Sequence, residues 1–180
     1  YRNFMILHEG PLGIIGTKLY ERKYNKLKKN KNAKIEESGV GGWVGITNKF
    51  WLAASIPPAD AEIEATLANR GTTEKPIFEA FYAMPAVSLA PGETQSMQSY
   101  MFGGPKDVDL LQSYEASPED GGLGVIDFDK AVDWGRLEYM LTRAIFWLLN
   151  FFGDLTGNFG VAIILLTLVI KLLLFPIANK

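Results

Sequence analysis

The sequence predicts a mixed fold in which a β-sandwich is followed by an amphipathic helix in a membrane interface and then by one transmembrane α-helix. Three observations support this prediction. Residues 1–103 hold short aromatic and β-branched runs between Gly/Pro turns, a spacing typical of sandwiches. Residues 134–153 combine a polar stripe with a broad apolar face. Residues 159–178 form a nearly unbroken apolar run, which is the main transmembrane signal.

The predicted sandwich domain covers residues 1–133. Its predicted strands lie in five segments: Asn3–His8 (before the turn signal Gly10-Pro11), Gly42–Pro57 (two strands around the turn at Thr47-Asn48-Lys49), Phe78–Met84, Ala86–Ala90 and Thr94–Gly103. A change to helical spacing after Pro105 predicts a short helix near 105–114. Because the chain starts without Met, we expect it to be an internal fragment, with further strands contributed by preceding sequence.

Charge is unevenly distributed along this domain. From Lys18 to Glu36 there are eight basic residues against two acidic ones, whereas from Pro57 to Asp133 there are fourteen acidic residues against four basic ones. The basic block has the composition of a nucleic-acid patch. However, its Lys/Asn run lacks interleaved aromatics and is more typical of a solvated connection between strands, so we predict no nucleic-acid partner.

Chemistry-bearing residues are sparse. The chain has no Cys and a single His, which excludes disulfides, thiolate metal sites and multi-histidine sites. The acids of the loop Ser117–Gly124 and those after it have the composition of a glycosidase carboxylate pair or of calcium ligands. They lack EF-hand spacing, and surface acids at a domain edge are commoner. We therefore predict no catalytic residue, no metal and no cofactor, and expect that the protein is not an enzyme.

The amphipathic segment 134–153 has a polar stripe in which Arg136, Arg143 and Asn150 recur every seven residues. Trp147 flanks this stripe, and leucines occupy the opposite side. This pattern is typical of a helix lying in the membrane interface. The alternative, a first transmembrane helix, is disfavoured by two arginines and a glutamate over this length. Residues 154–158 are then expected to turn the chain into the membrane.

The segment 159–178 has 20 residues, about 30 Å as a helix, which matches a bilayer core. A buried helix of a soluble protein is the alternative, but such a helix usually keeps a polar stripe, and this one has only Thr167 and Lys171. A cation in a span normally faces a protein interior or a hydrated cavity unless it snorkels to the headgroups. One helix cannot enclose a cavity, so we expect further helices to complete a site around these two residues.

The charges that flank this segment predict its orientation. Asp154 precedes the apolar run and Lys180 follows it. Because cytoplasmic flanks carry a Lys/Arg excess, we expect the C-terminal end to face the cytoplasm and residues 1 to about 150 to lie outside.

Three segments resemble the YidC-type membrane protein insertases of bacteria: GWVGITNKFWLAASIP (42–57), FDKAVDWG (128–135) and GNFGVAIILLTLVIKLLLFPIANK (157–180). Two positions depart from the family pattern, since Asn48 stands where Asp is common and Lys171 where many members have Arg. The second departure keeps the charge but loses the bidentate guanidinium geometry.

The resemblance implies the second part of a periplasmic β-super-sandwich, an interfacial helix and the second transmembrane helix of a multi-pass protein of the bacterial inner membrane. It also implies that Lys171 and Thr167 line a hydrophilic groove that contacts substrates. The implied partners are nascent integral membrane proteins, the Sec translocon and the lipid bilayer.

Two other hypotheses remain open at this point. One is a membrane-tethered periplasmic domain that binds or processes sugars, because a sandwich fold alone does not determine function. The other is a β-domain that serves only as a docking surface for translocon partners.

Overall fold

The computed structural model describes residues 8–30, 33–132 and 139–178, and for Tyr139 and residues 176–178 it describes the backbone alone. The chain divides into two compact units, Tyr1–Asp133 and Trp134–Lys180. We call the first the β-unit and the second the helical unit.

The β-unit contains two antiparallel sheets. Its described strands are β1 (Gly10–Ile15), β2 (Lys18–Glu21), β3 (Ile35–Val40), β4 (Gly42–Thr47), β5 (Trp51–Ile56), β6 (Glu62–Asn69), β7 (Phe78–Ala83) and β8 (Tyr100–Pro105). Five strands form one sheet in the order β2-β1-β4-β5-β8, and three form the other in the order β3-β6-β7. This two-sheet arrangement confirms the predicted sandwich-like class.

Strands β1 and β4 lie in the middle of the larger sheet and are buried on both faces, which explains why they read as apolar runs without alternation. On one face, Ile15 and Val44 pack against Ile63 and Leu67 of the smaller sheet. On the other face, Trp43 packs with Phe128 and with the rest of a second apolar core. The larger sheet is therefore the central layer of the β-unit.

The second core is closed by the segment that follows β8. Helix α2 (Val108–Glu115) begins after Asp107, whose side chain accepts a hydrogen bond from the backbone N–H of Leu110. The helix was expected near 105–114, but Pro105 is still the last residue of β8. A short 3-10 helix at Phe128–Ala131 follows, and the indole N–H of Trp43 donates to the carbonyl of Ile126 at 3.2 Å.

The structure changes several details of the predicted sandwich. Gly10-Pro11 lies inside β1 and is not a turn, and of the predicted strand at 3–8 only His8 falls in the described residues. The predicted strand Ala86–Ala90 is wrong, because these residues are exposed coil between β7 and β8. Sequence analysis missed β1, β2, β3 and β6, although in β6 Ile63, Ala65 and Leu67 alternate with exposed residues. The predicted strand Thr94–Gly103 begins only at Tyr100 and continues to Pro105.

A further change concerns the Lys/Asn run, which was expected to be a plain connection. It contains a short helix, α1 (Tyr24–Lys29), whose Leu27 is fully buried while its lysines are exposed.

The helical unit consists of α3 (Tyr139–Thr156) and α4 (Phe159–Ala178). The turn expected at 154–158 is shorter, because α3 continues to Thr156 and ends at Gly157, whose φ of 63° suits glycine.

Among the described residues, no helix is both long and apolar enough to cross a membrane. Helix α4 has the predicted bounds 159–178, whereas its predicted role as a membrane span is not supported by the described residues.

Candidate functional site

The helical unit is built around a tight junction between α3 and α4. The hydroxyl of Thr156 donates to the carbonyl of Phe152 at 2.7 Å, and the amide of Gly157 donates to the carbonyl of Gly153 at 2.8 Å. Asn158 then caps α4, since its Oδ1 accepts from the backbone N–H of Gly160 at 2.8 Å. These local bonds fix the reversal of the chain.

The two helices contact each other through small residues and a narrow apolar stripe. A Cβ on Gly153 would lie 3.1 Å from the ring of Phe159, so glycine at this position lets the ring approach the α3 backbone. On α4, Ala162 is fully buried and Leu166, one turn later, is 9 % exposed. The i, i+4 spacing places both on one face, and this face packs on α3.

The other faces of the hairpin are apolar and exposed. Large side chains that are more than half exposed occur along both helices: Met140, Leu141, Trp147, Leu155, Phe159, Ile163, Ile164, Leu168, Leu172, Leu173, Leu174 and Phe175. Soluble monomers rarely present a continuous apolar surface of this extent. The hairpin therefore presents a surface suited to lipid or to other apolar helices.

The structure places Thr167 and Lys171, the two predicted groove residues, together on this exposed surface. They are one turn apart on α4, and both are exposed. The Thr167 hydroxyl donates to the carbonyl of Ile163 at 2.8 Å, so its hydrogen bond is satisfied within the helix. Lys171 lies among the exposed side chains of Leu168 and Phe175, which makes it an isolated cation on an apolar face.

This polar seam lies on the side of α4 that is turned away from α3. With about 100° per residue, Thr167 and Lys171 lie roughly opposite the buried Ala162–Leu166 stripe. Helix α3 therefore does not cover Lys171, and any groove around this residue has its other walls outside the α3–α4 pair.

Two of the three predicted interfacial residues, Arg143 and Trp147, lie on α3. Arg136 lies outside the described residues. Arg143 is exposed, and Trp147 is 66 % exposed and stacks on Phe151 with ring centroids 5.8 Å apart. Part of the predicted apolar face is half-buried, including Ile145 and Leu149, because α4 covers one side of α3.

The β-unit offers other polar sites. In the described part of the chain, no group of three or more His, Cys, Asp or Glu residues is placed to hold a metal ion. A groove of about 490 Å³ lies across one end of the smaller sheet and is lined by Ser38, Gly39, Val40, Glu62, Ile63, Glu64, Ala83, Met84 and Pro85. This lining holds no aromatic ring on which a sugar would stack.

Two carboxylates meet between α2 and the 3-10 helix. The Glu115 carboxylate accepts from the backbone N–H of Asp129 at 2.7 Å, and the buried Asp129 carboxylate accepts from the amide of Gln112 at 3.2 Å. Burial raises the pKa of Glu115, the charges of Asp129 and Asp127 raise it further, and the bond from Asp129 N–H opposes the change. These contacts hold the 3-10 helix on α2, so the arrangement is structural.

Sequence analysis missed the packing stripe of the helical unit. Gly153, Ala162 and Leu166 carry the helix–helix contact, but within two strongly apolar segments they do not stand out. The small residues Gly153 and Ala162 at the helix ends nearest the turn were the available signal, because small residues allow close helix packing.

Comparison with known proteins identifies the family. The YidC periplasmic domain family matches residues 1–148. The chain is 38% identical over 178 residues to the membrane protein insertase YidC of Beijerinckia indica, which covers 98% of this chain and 28% of that protein.

Two further relatives give the same result. YidC of Rickettsia prowazekii is 38% identical over 177 residues, and YidC of Caulobacter vibrioides is 41% identical over 189 residues; each match covers 97% of this chain and 30% of the relative. The chain thus spans less than a third of the length of these insertases. It belongs to the YidC family, and its β-unit belongs to the YidC periplasmic domain.

Proposed function

We propose that this chain is part of a membrane protein insertase and chaperone, which inserts and helps fold integral membrane proteins in the bacterial inner membrane. The observation that carries the proposal is the exposed apolar surface of α4, broken in the described residues by Thr167 and Lys171 alone. Membership of a family whose relatives are named membrane protein insertases supports it.

Lys171 acts as the cation of a hydrophilic groove within the membrane. A polar or acidic segment of a substrate enters the groove, where the ammonium group and water lower the cost of removing that segment from bulk water. The apolar part of the substrate then moves into lipid, driven by its own transfer free energy. A compact ammonium provides a point charge, so the groove attracts acidic segments without bidentate recognition.

The remaining groove walls come from parts of the protein outside this chain. Their contribution is required because the seam of Thr167 and Lys171 faces away from α3. The whole protein is multi-pass, works alone or with the Sec translocon, and holds the β-unit on the periplasmic side. Helix α3 lies in the membrane interface with Arg143 and Trp147 at the headgroup level.

Lys171→Ala in the whole protein tests this mechanism, with insertion of a single-span substrate as the readout. For a substrate with an acidic tail we expect insertion to fall about tenfold, since a charge pair roughly 10 Å apart at an effective dielectric near 20 is worth about 1.7 kcal/mol. A substrate with a neutral tail should lose much less.

Lys171→Arg and Leu172→Ala are the matched controls. Arg keeps the charge and should keep most insertion, and Leu172 is an exposed neighbour without charge. If Lys171→Ala changed the insertion of acidic and neutral tails by the same factor relative to the unmodified protein, Lys171 would be removed from the mechanism.

A further inference from the structure

The β-unit carries an exposed cluster of lysines on and next to α1. We propose that Lys23, Lys26, Lys28 and Lys29, which we call the α1 lysine surface, bind anionic lipid headgroups and hold the β-unit against the bilayer. This inference rests on the membrane attachment of the helical unit proposed above, and it assigns to the β-unit a lipid contact of its own.

The local fold turns these four side chains outward. Leu27 is fully buried, and the lysines on either side of it are all exposed. Because one buried residue per turn fixes the rotation of so short a helix, Lys26, Lys28 and Lys29 are directed to solvent. The basic residues therefore form a surface that faces away from the core.

The helix is held firmly at its place on the β-unit. The ring of Tyr24 packs on Phe78 with centroids 4.5 Å apart, and the backbone N–H of Tyr24 donates to the backbone carbonyl of Glu9 at 3.1 Å. The side-chain amide of Asn69 donates to the carbonyl of Leu27 at 3.4 Å. A charged surface on a fixed scaffold can dock without first ordering a loop, which removes an entropy cost.

The four lysines form no ion pair in the described part of the chain. By contrast, Lys34 forms an ion pair with Glu36 at 2.7 Å. Arg22 is committed to the fold, since its Nε donates to the carbonyl of Ala33 at 2.9 Å. The positive charge of the α1 lysine surface is therefore available to an external anion.

The segment that contains α1 is itself basic. From Lys18 to Glu36 there are eight basic residues against two acidic ones. An anionic bilayer therefore attracts this segment.

Anionic lipid is the occupant favoured over an acidic protein because the chain itself brings the bilayer within reach. The helical unit with its exposed apolar surface is covalently linked to the β-unit, so the headgroups are present at a high effective concentration. Each lysine near an anionic surface then favours docking about fivefold.

The test uses the full chain in phosphatidylcholine bilayers with and without phosphatidylglycerol, and with a headgroup-attached nickel relaxer. Because the chain has no Cys, Asn25→Cys gives a single spin label on α1. Glu119→Cys gives a control label in the acidic part of the β-unit, and Ile164→Cys reports separately on the depth of α4.

We expect the label at position 25 to gain headgroup contact when phosphatidylglycerol is added and to lose it at high salt. The label at 119 should show no gain. Replacing all four lysines by Gln should abolish the gain, and replacing them by Arg should retain it. Each single Lys→Gln change should lower the ratio of docked to undocked β-unit about fivefold.

The outcomes separate the two proposals. A deep label at 164 with no gain at 25 overturns the docking of the β-unit and leaves the membrane attachment intact. A label at 164 in water overturns the attachment and the docking with it. The variant with all four lysines replaced by Gln gives a third outcome. If its label at position 25 gains as much headgroup contact as that of the protein with unmodified lysines, and near-UV circular dichroism shows a folded β-unit, the role of the lysines is overturned.

Discussion

The β-unit and the helical unit use the same types of apolar side chain in opposite ways. In the β-unit, Trp43 and Phe128 are fully buried and meet edge to face with ring centroids 5.2 Å apart. In the helical unit, Trp147 is 66 % exposed and Ile164 is 68 % exposed. The β-unit buries these large apolar side chains away from water, whereas the helical unit exposes them on a surface suited to an apolar solvent.

The two units also differ in what holds them together. The β-unit has two apolar cores on either side of its central sheet. In the described helical unit, the buried contact is limited to residues such as Gly153, Ala162 and Leu166. The comparison shows that mutations should have large effects on stability at buried positions of the β-unit, and that the exposed positions of the helical unit should depend on the surrounding solvent.

The largest expected effect is at Trp43. Trp43→Ala removes a fully buried ring and its hydrogen bond to Ile126, and should destabilise the β-unit by about 3–5 kcal/mol. Denaturant unfolding followed by near-UV circular dichroism measures this loss.

Trp51→Ala is the matched control, because Trp51 lies on the neighbouring strand of the same hairpin and is 59 % exposed. Trp51→Ala should lower the stability of the β-unit by well under half of the loss expected for Trp43→Ala. Similar losses for both variants would contradict the assignment of Trp43 to the core.

Substitution of Asn69 should cause the next largest loss of stability. Its Oδ1 accepts from the backbone N–H groups of Gly71 and Ile77 at 3.0 and 2.9 Å, and the side chain is buried. Asn69→Ala leaves these donors unsatisfied and should cost about 1–3 kcal/mol.

Asn48→Ala provides a comparison at a turn where the donors can reach water. Asn48 Oδ1 also accepts two backbone N–H groups, from Phe50 and Trp51, but all three residues are exposed. The same unfolding assay should give a smaller loss for Asn48→Ala, and the reverse order would refute the argument from burial.

Ala162 tests the helical unit. Ala162→Leu inserts a larger side chain into the α3–α4 contact and should cost about 1–3 kcal/mol, or separate the helices. Spin labels at Met140 and Leu174 should then show a broader distance distribution in bilayers.

Ile164→Leu, which changes an exposed position two residues away, should leave that distribution unchanged. An unchanged distribution for Ala162→Leu would show that the observed helix pairing is not the one held in a bilayer.

Substitution of Glu115 should cause the smallest change in stability, and this change should depend on pH. Its pKa is raised above 4.5 in the folded state, so its stabilising contribution is present below that value and is lost as the pH rises through the raised pKa. Glu115→Gln keeps an acceptor for Asp129 N–H without acquiring charge, and should gain stability relative to the unmodified protein as the pH rises toward neutrality.

Melting temperatures across this pH range measure the difference between the two proteins. The raised pKa would be contradicted if the two curves of melting temperature against pH were parallel, or if the melting temperature of the Gln variant fell relative to that of the unmodified protein as the pH rises.

Parts of the fold could be predicted because local chemistry determines them. The hairpin of β4 and β5 is confirmed, and Asn48 at its turn accepts the amides that a turn leaves free. Strand β6 was missed although its residues alternate, because glutamate and alanine, which make up three of the four residues in Glu62–Ala65, have low strand propensity. The wrong strand at Ala86–Ala90 shows that β-branched and apolar residues in a Pro-rich connection do not ensure pairing.

The candidate site was predicted in part for the same reason. Helical spacing alone placed Thr167 and Lys171 on one face. Which face of α4 meets α3 depends on tertiary packing at Gly153 and Ala162, and neither residue differs enough from its neighbours to reveal it.

The most direct test of the contrast between the two units is quenching of tryptophan fluorescence by lipids brominated on their acyl chains. The chain is placed in bilayers with Trp134→Phe as the background, and Trp147→Phe is compared with Trp51→Phe. If the helical unit is solvated by lipid and the β-unit by water, Trp147→Phe removes most of the quenchable fluorescence and Trp51→Phe leaves it unchanged. Equal quenching in both variants would contradict the account.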